Sequence, residues 1–268
     1  MKFIEIEKSV KQNEWSMTDL HSHEHYELYF LFSGARNFFL KDKMYKIEAP
    51  CYIVIPPYTM HKTEGSGFMR INVNVMPDAL SDYEISALNK LSANEKIAAL
   101  PQYTSAKIYE LLTEGLTVFN VDSEQANEVL KAMVTIIIYY LTKAENQKTF
   151  LPLTAKNKNV SPVVLNVIDY ISKNLEDEIR LESLAKRFFM SKTALCSSFK
   201  KAMNCTIGEY VSGLKLNKAK EYLTNTKKSV EEISSLCGFS SATYMGLVFK
   251  KKTGVSPLNY RKIQNTKS

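Results

Sequence analysis

Cysteine is scarce and scattered. Cys51, Cys196, Cys205 and Cys237 form no CxxC pair, so neither a disulfide framework nor a zinc finger is expected, and reduced thiols at partly buried positions are. No apolar run is long enough for a bilayer: the strongest, Met133 to Leu141, is flanked by lysines and falls well short of the ~20 residues a spanning helix needs. The opening MKFIEIEKSV has no apolar signal core, so a cytoplasmic protein is expected. With 45% hydrophobic and 24% charged residues, the composition excludes a disordered or fibrous chain. Surplus positive charge is also missing from most of the sequence. Residues 1–160 hold 17 Lys and Arg against 19 Asp and Glu, whereas residues 161–268 hold 18 against 9. A basic segment beside a near-neutral one points to a polyanionic partner for one half alone.

The 268 residues suffice for two domains. Residues 1–75 carry short β-branched and aromatic runs: Glu27 to Phe32, Asn37 to Leu40, Met44 to Ile47, Tyr52 to Ile55 and Phe68 to Val75. Ser33-Gly34, Ala49-Pro50, Pro56-Pro57 and Gly65-Ser66-Gly67 break them, which predicts a small barrel or sandwich. From about Asp78 the pattern turns helical, with a helix start at Asp122-Ser123-Glu124. Val129, Leu130, Met133, Val134, Ile137, Tyr140 and Leu141 then recur at helical steps. Ile136, Ile138 and Tyr139 widen that stripe, so the helix either packs only on the sheet domain or also pairs with a second copy. Residues 146–160 are polar and aperiodic and predict a linker. The division is therefore 1–145, a sensing and dimerising domain; 146–160, the linker; and 161–268, an all-α domain.

The all-α half contains a repeat. Leu181 to Lys201 and Val230 to Lys252 each give a short amphipathic helix, a turn near a serine and a second helix reaching Phe-Lys-Lys. Leu184, Leu195 and Phe199 correspond to Ile233, Met245 and Phe249 at an offset of about fifty residues. This layout predicts two helix-turn-helix units. Ser191 and Ser240 are the expected caps of the second helices, and Gly238 suits a turn with positive φ. With Leu195, Phe199, Met245 and Phe249 inward, Lys192, Thr193, Cys196, Ser197 and Lys200 face out in the first unit. In the second, Ala242, Thr243, Gly246, Leu247 and Lys250 do so.

Gly238-Phe239-Ser240, Phe249 to Pro257 and Tyr260-Arg261, with Leu216 to Leu223 as connecting helix, resemble the AraC/XylS family of transcription regulators over residues 160–262. The resemblance implies that the outward positions of both second helices read bases in the major groove of double-stranded DNA, with Lys192, Lys200 and Lys250 on phosphates. The set lacks the Arg and Gln common in that family, so an A·T-rich site read through thymine methyl contacts and DNA shape is expected. Lys215 stands where the family usually has Arg, and lysine loses the planar bidentate fork.

All four histidines fall between residues 21 and 61. His21, His23 and Glu27 followed by Gly34 resemble the first motif of the cupin barrel. Pro56 to His61 partly resembles the second, with Tyr58 in place of the usual glycine. Residues two apart on a strand share a face, so His21 and His23 would both enter the barrel. His21, His23, Glu27 and His61 would then hold a divalent transition metal or form the metal-free polar wall of an effector pocket; the pattern leaves both open. Aromatic residues around such a wall suit a sugar or a small aromatic effector.

The expected fold is multidomain α+β: a cupin-like β-barrel followed by helices, then an all-α double helix-turn-helix. The expected function is a homodimeric DNA-binding regulator controlled by a small molecule, activator or repressor alike, and not an enzyme. A cupin-type metalloenzyme fused to a DNA-binding unit is the competing class. A regulator needing RNA polymerase for specificity is a third.

Overall fold

The computed structural model describes residues 3–13, 15–16, 20–41, 43–93, 97–121, 123–146, 161–203 and 205–265, and the chain divides into two compact units near residue 157. The expected linker, apart from Asn146 at the end of a helix, lies outside the described residues.

In the first unit, among the described residues, nine strands build two antiparallel sheets. β1 (Ile4–Lys11), β8 (Phe68–Val75), β3 (Tyr26–Ser33), β6 (Cys51–Ile55) and β9 (Ile97–Ala99) lie side by side in that order. β2 (Trp15–Ser16), β7 (His61–Gly65), β4 (Ala35–Leu40) and β5 (Lys43–Glu48) form the other sheet. Of the expected barrel or sandwich, the sandwich is found: among the described residues no ladder closes the two sheets into a barrel, and they face each other. Period-two alternation explains how the larger sheet is buried on both faces. Leu28 and Phe30 of β3, with Ile71, Val73 and Val75 of β8, pack against the helices. Tyr29 and Leu31 face the second sheet and meet Phe38, Leu40, Tyr45 and Ile47.

Helices α1 (Asp82–Ser92), α2 (Gln102–Phe119) and α3 (Glu124–Asn146) cover the outer face. A capping box starts α1: the Ser81 hydroxyl accepts from Glu84 N, and Ser81 N donates to Glu84 at 2.8 Å. Ser123 caps α3, its hydroxyl accepting from Ala126 N at 3.1 Å. Leu130, Met133, Val134, Ile137, Ile138 and Leu141 are buried on the sheet, while Val129, Ile136 and Tyr139 stay exposed along one side. No described helix is long and apolar enough to cross a membrane.

The second unit is all-helical: α4 (Pro162–Lys173), α5 (Leu181–Arg187), α6 (Lys192–Met203), α7 (Ile207–Asn225), α8 (Val230–Leu236), α9 (Ala242–Thr253) and α10 (Pro257–Asn265). The repeat runs further than its second helices. Phe199 meets Tyr210 edge-on at 5.5 Å, and Phe249 meets Tyr260 in the same way at 5.2 Å. Leu216, Ala219 and Leu223 of α7 pack into the core of the second unit with Ile233, Met245 and Phe249.

Candidate functional site

The two turns have one hydrogen-bond pattern. In the first, Phe188 N donates to Leu184 O and Met190 N to Ala185 O. In the second, Cys237 N donates to Ile233 O and Phe239 N to Ser234 O. These are paired helix-end bonds that require a left-handed residue inside the turn. Phe189 (φ 53°) and Gly238 (φ 70°) take that conformation.

The leading helices correspond at an offset of 49 residues and α6 and α9 at 50, so the second turn holds one extra residue. That insertion corrects one expected cap. Ser191 caps α6, accepting from Ala194 N at 3.2 Å. It is Ser241, not Ser240, that caps α9, accepting from Tyr244 N at 3.1 Å.

Leu195, Phe199, Met245 and Phe249 are fully buried. Lys192, Thr193, Ser197 and Lys200 are exposed on α6, and Thr243, Leu247 and Lys250 on α9. Cys196, Ala242 and Gly246 are part-exposed. Two further outward residues escaped the sequence reading, Ala194 and Tyr244. Tyr244 is 50% exposed and could have been found by extending the α9 periodicity one position. Lys192 pairs with Glu182 at 2.5 Å, and the hydrogen bond to that carboxylate raises its pKa. Both groups are exposed, so the pair is easily exchanged for a phosphate.

Behind α6 and α9, the two helix-turn-helix units are fastened together. Lys215 of α7 donates from Nζ to Gly238 O, and burial lowers its pKa. Lys218 pairs with Glu176 at 2.7 Å. Gly238 lies against the loop after α4: a Cβ there would sit 2.5 Å from Leu175 O and 2.6 Å from Glu176 O. The lysine at position 215 thus makes a single bond to a turn carbonyl, which needs no bidentate fork.

In the sheet domain, His23, Glu27 and His61 converge, their ligating atoms all within 4.8 Å of one another. His21 is not part of this cluster. The strand on which His21 and His23 were to alternate begins only at Tyr26, so the two-residue rule does not operate there. His25 instead stacks on His23 at 3.9 Å. Tyr58 (φ 61°) takes the left-handed conformation that glycine would favour, and its N–H donates to His23 O at 2.7 Å.

Each of the two ring nitrogens Nδ1 faces a backbone carbonyl: His23 on His25 O and His61 on Thr59 O, both at 2.9 Å. A carbonyl only accepts, so both Nδ1 atoms carry the proton. The Nε2 atoms point at Glu27 Oε2, 3.0 Å from His23 and 3.2 Å from His61. Asn72 donates to the other oxygen at 2.5 Å. Burial pushes the Glu27 pKa up, but hydrogen bonds from both imidazoles, with their charges, bring it well below the usual carboxylate range.

Sequence reasoning missed the buried arginines between the sheets. Arg36 donates to Thr63 Oγ1 and to Gly65 O, both at 3.0 Å, over the ring of Phe68. Arg70 lies 5.7 Å from the Tyr29 ring centre. The alternation of β4 and β8 was the available signal, since both arginines fall on inward positions.

Residues 184–263 match the protein family described as a helix-turn-helix domain. The chain is 35% identical over 97 residues to the bifunctional transcriptional activator/DNA repair enzyme AdaA of Bacillus subtilis, which takes in 36% of this chain and 46% of that protein. It is 23% identical over 250 residues to the HTH-type transcriptional activator RhaR of Mannheimia succiniciproducens, covering 90% and 86%. A solved DNA-binding domain of AdpA in complex with a target DNA is 23% identical, with a TM-score of 0.39, and covers 40% of this chain and 96% of that one. The C-terminal half is a DNA-binding helix-turn-helix domain of AraC type. The chain thus carries a helix-turn-helix domain similar to those of transcription regulators, and it spans about half the length of the first of these relatives.

Proposed function

We propose that a small molecule held between the two sheets modulates operator binding by the helix-turn-helix half. One observation carries this reading: Glu27, Arg36, His61, Arg70 and Asn72 are buried between sheets that could have closed on apolar side chains. Burying such groups is costly, and a binding wall with aromatic faces, Phe38 stacked beside His61 among them, accounts for the cost. The chemistry suits a sugar or a small aromatic molecule. A regulator of this kind needs no turnover, and no enzymatic role is assigned to it. The ligand would act by favouring one arrangement of the reading units over another.

On DNA, Thr193, Cys196 and Ser197 of α6 and Ala242, Thr243, Gly246 and Leu247 of α9 face base edges in successive major grooves. Lys192, Lys200 and Lys250 hold phosphates. Val129, Ile136 and Tyr139 of α3 supply the seam of a homodimer. Sheared genomic DNA retained by the protein at two salt concentrations, then sequenced, tests both points. The expected result is a few paired, A·T-rich sites surviving the higher salt. Solitary sites would remove the dimer, and G·C selection would remove the methyl reading. Diffuse, salt-sensitive retention would move specificity to a partner such as RNA polymerase.

The histidine cluster favours a second element, a divalent transition metal. Two imidazoles and a carboxylate whose ligating atoms lie within 4.8 Å of one another would suit such an ion, which would displace the Nε2 protons that otherwise bond Glu27, and the Nδ1–H bonds orient both rings as they do in metal sites. His23, Glu27 and His61 would be the ligands. Bound zinc measured after equilibrium dialysis should be about one ion per chain, with a loss of at least tenfold in affinity for Glu27→Gln and for His61→Ala. Undiminished zinc in both variants would end this reading.

A further inference from the structure

Phe189 is 98% exposed, the most exposed large apolar side chain among the described residues. It also takes the left-handed conformation (φ 53°), which is costly for a bulky residue. The second unit fills the same turn position with glycine, which avoids that cost. Two penalties coincide on one side chain, apolar exposure and backbone strain; the helix-end bonds of the turn account for the backbone conformation but leave the ring uncovered. Its neighbour Phe188 shows the alternative, since it packs edge-on against Tyr170 at 6.1 Å.

Position decides what covers the ring. In a docked helix-turn-helix, the first helix crosses the DNA backbone and the second enters the major groove by its N-terminus. The turn between them therefore abuts the sugar–phosphate edge. Phe189 sits in that turn, three residues before α6 begins. Exposed cations surround it in sequence, with Lys186 and Arg187 before and Lys192 after. They suit phosphates, whereas a phenyl ring suits the C–H surface of deoxyribose between them.

We propose that Phe189 is a DNA-contact residue, packing on the deoxyribose edge of the groove that α6 reads. The proposal rests on the DNA-reading role of α6. It gives the two units unequal parts: the first carries an apolar backbone contact that the second cannot make, because Gly238 faces inward on Leu175 and Glu176.

The test uses Phe189→Gly in the full chain, with sheared genomic duplex DNA as probe. Relief of the strained φ should raise the unfolding midpoint by about 2–4 °C, while DNA affinity falls about fivefold or more. The salt dependence stays unchanged because no charge is removed. Phe189→Asn, which tolerates the left-handed conformation, should lose the same affinity, and Phe189→Trp should keep it. Full affinity in Phe189→Gly would overturn the proposal, as would a lowered midpoint, which would mark a packing role. A wild-type protein that retains no DNA would overturn the regulator reading together with this one.

Discussion

Replacing Gly238 with alanine is expected to destabilise the second helix-turn-helix by about 3 kcal/mol. The left-handed conformation costs a non-glycine residue about 1 kcal/mol. The remainder comes from a methyl group driven to 2.5 Å from Leu175 O and 2.6 Å from Glu176 O, an overpacking cost of about 2 kcal/mol. Both obstacles are backbone oxygens, so no side-chain rotation relieves them. The turn must shift, taking the acceptor of Lys215 with it. Urea unfolding followed by amide exchange in α8 and α9 reads the stability. Retention of sheared genomic DNA should fall at least tenfold, because α9 starts only four residues beyond the turn. An alanine variant with unchanged exchange and retention would show that the loop after α4 does not brace this turn.

A larger loss is expected in the sheet domain from Gly34→Ala. Gly34 has φ 84°, and a Cβ there would fall 1.9 Å from Gly67 O and 2.9 Å from Gly67 C. The contact joins the turn between β3 and β4 to the turn between β7 and β8, and Ala49 N donates to Gly34 O at 3.0 Å. Neither backbone can give without breaking a ladder, so about 4 kcal/mol is expected, in the range reserved for severe core lesions. Amide exchange in β3 and β8 across a urea titration reads the stability of this domain. A midpoint unchanged from wild type would mean that the two turns separate at little cost.

The DNA-binding half was legible because its signal is local and repeated. Leu195 and Phe199, like Met245 and Phe249, recur at helical steps, and the Phe-Lys-Lys endings set the register. What escaped was a single inserted residue. Carried forward from the leading helices alone, the 49-residue offset puts the cap on Ser240; the hydrogen bond from Tyr244 N places it on Ser241. The sheet domain was half legible. Apolar strands such as Tyr52 to Ile55 announced themselves, but β7 reads His-Lys-Thr-Glu-Gly and is held by its pairing with β4, not by its own composition. His23, Glu27 and His61 were singled out, yet their meeting depends on the long-range contact between residues 23 and 58, which no periodicity encodes. Arg36 and Arg70 were passed over because charged residues in a strand normally mark its solvent face.

The fastening of Gly238 to the loop at Leu175 and Glu176 has a consequence for the nucleic acid. If α6 and α9 read DNA as proposed, helices braced on a shared block would work as a calliper of fixed opening. Successive major grooves of relaxed duplex lie about 34 Å apart, and any mismatch with that opening must be absorbed by the double helix. Flexible pyrimidine–purine steps absorb it cheaply and stiff tracts do not. Base pairs lying between the two contacted segments, untouched by any side chain, then enter the recognition code through their stiffness alone.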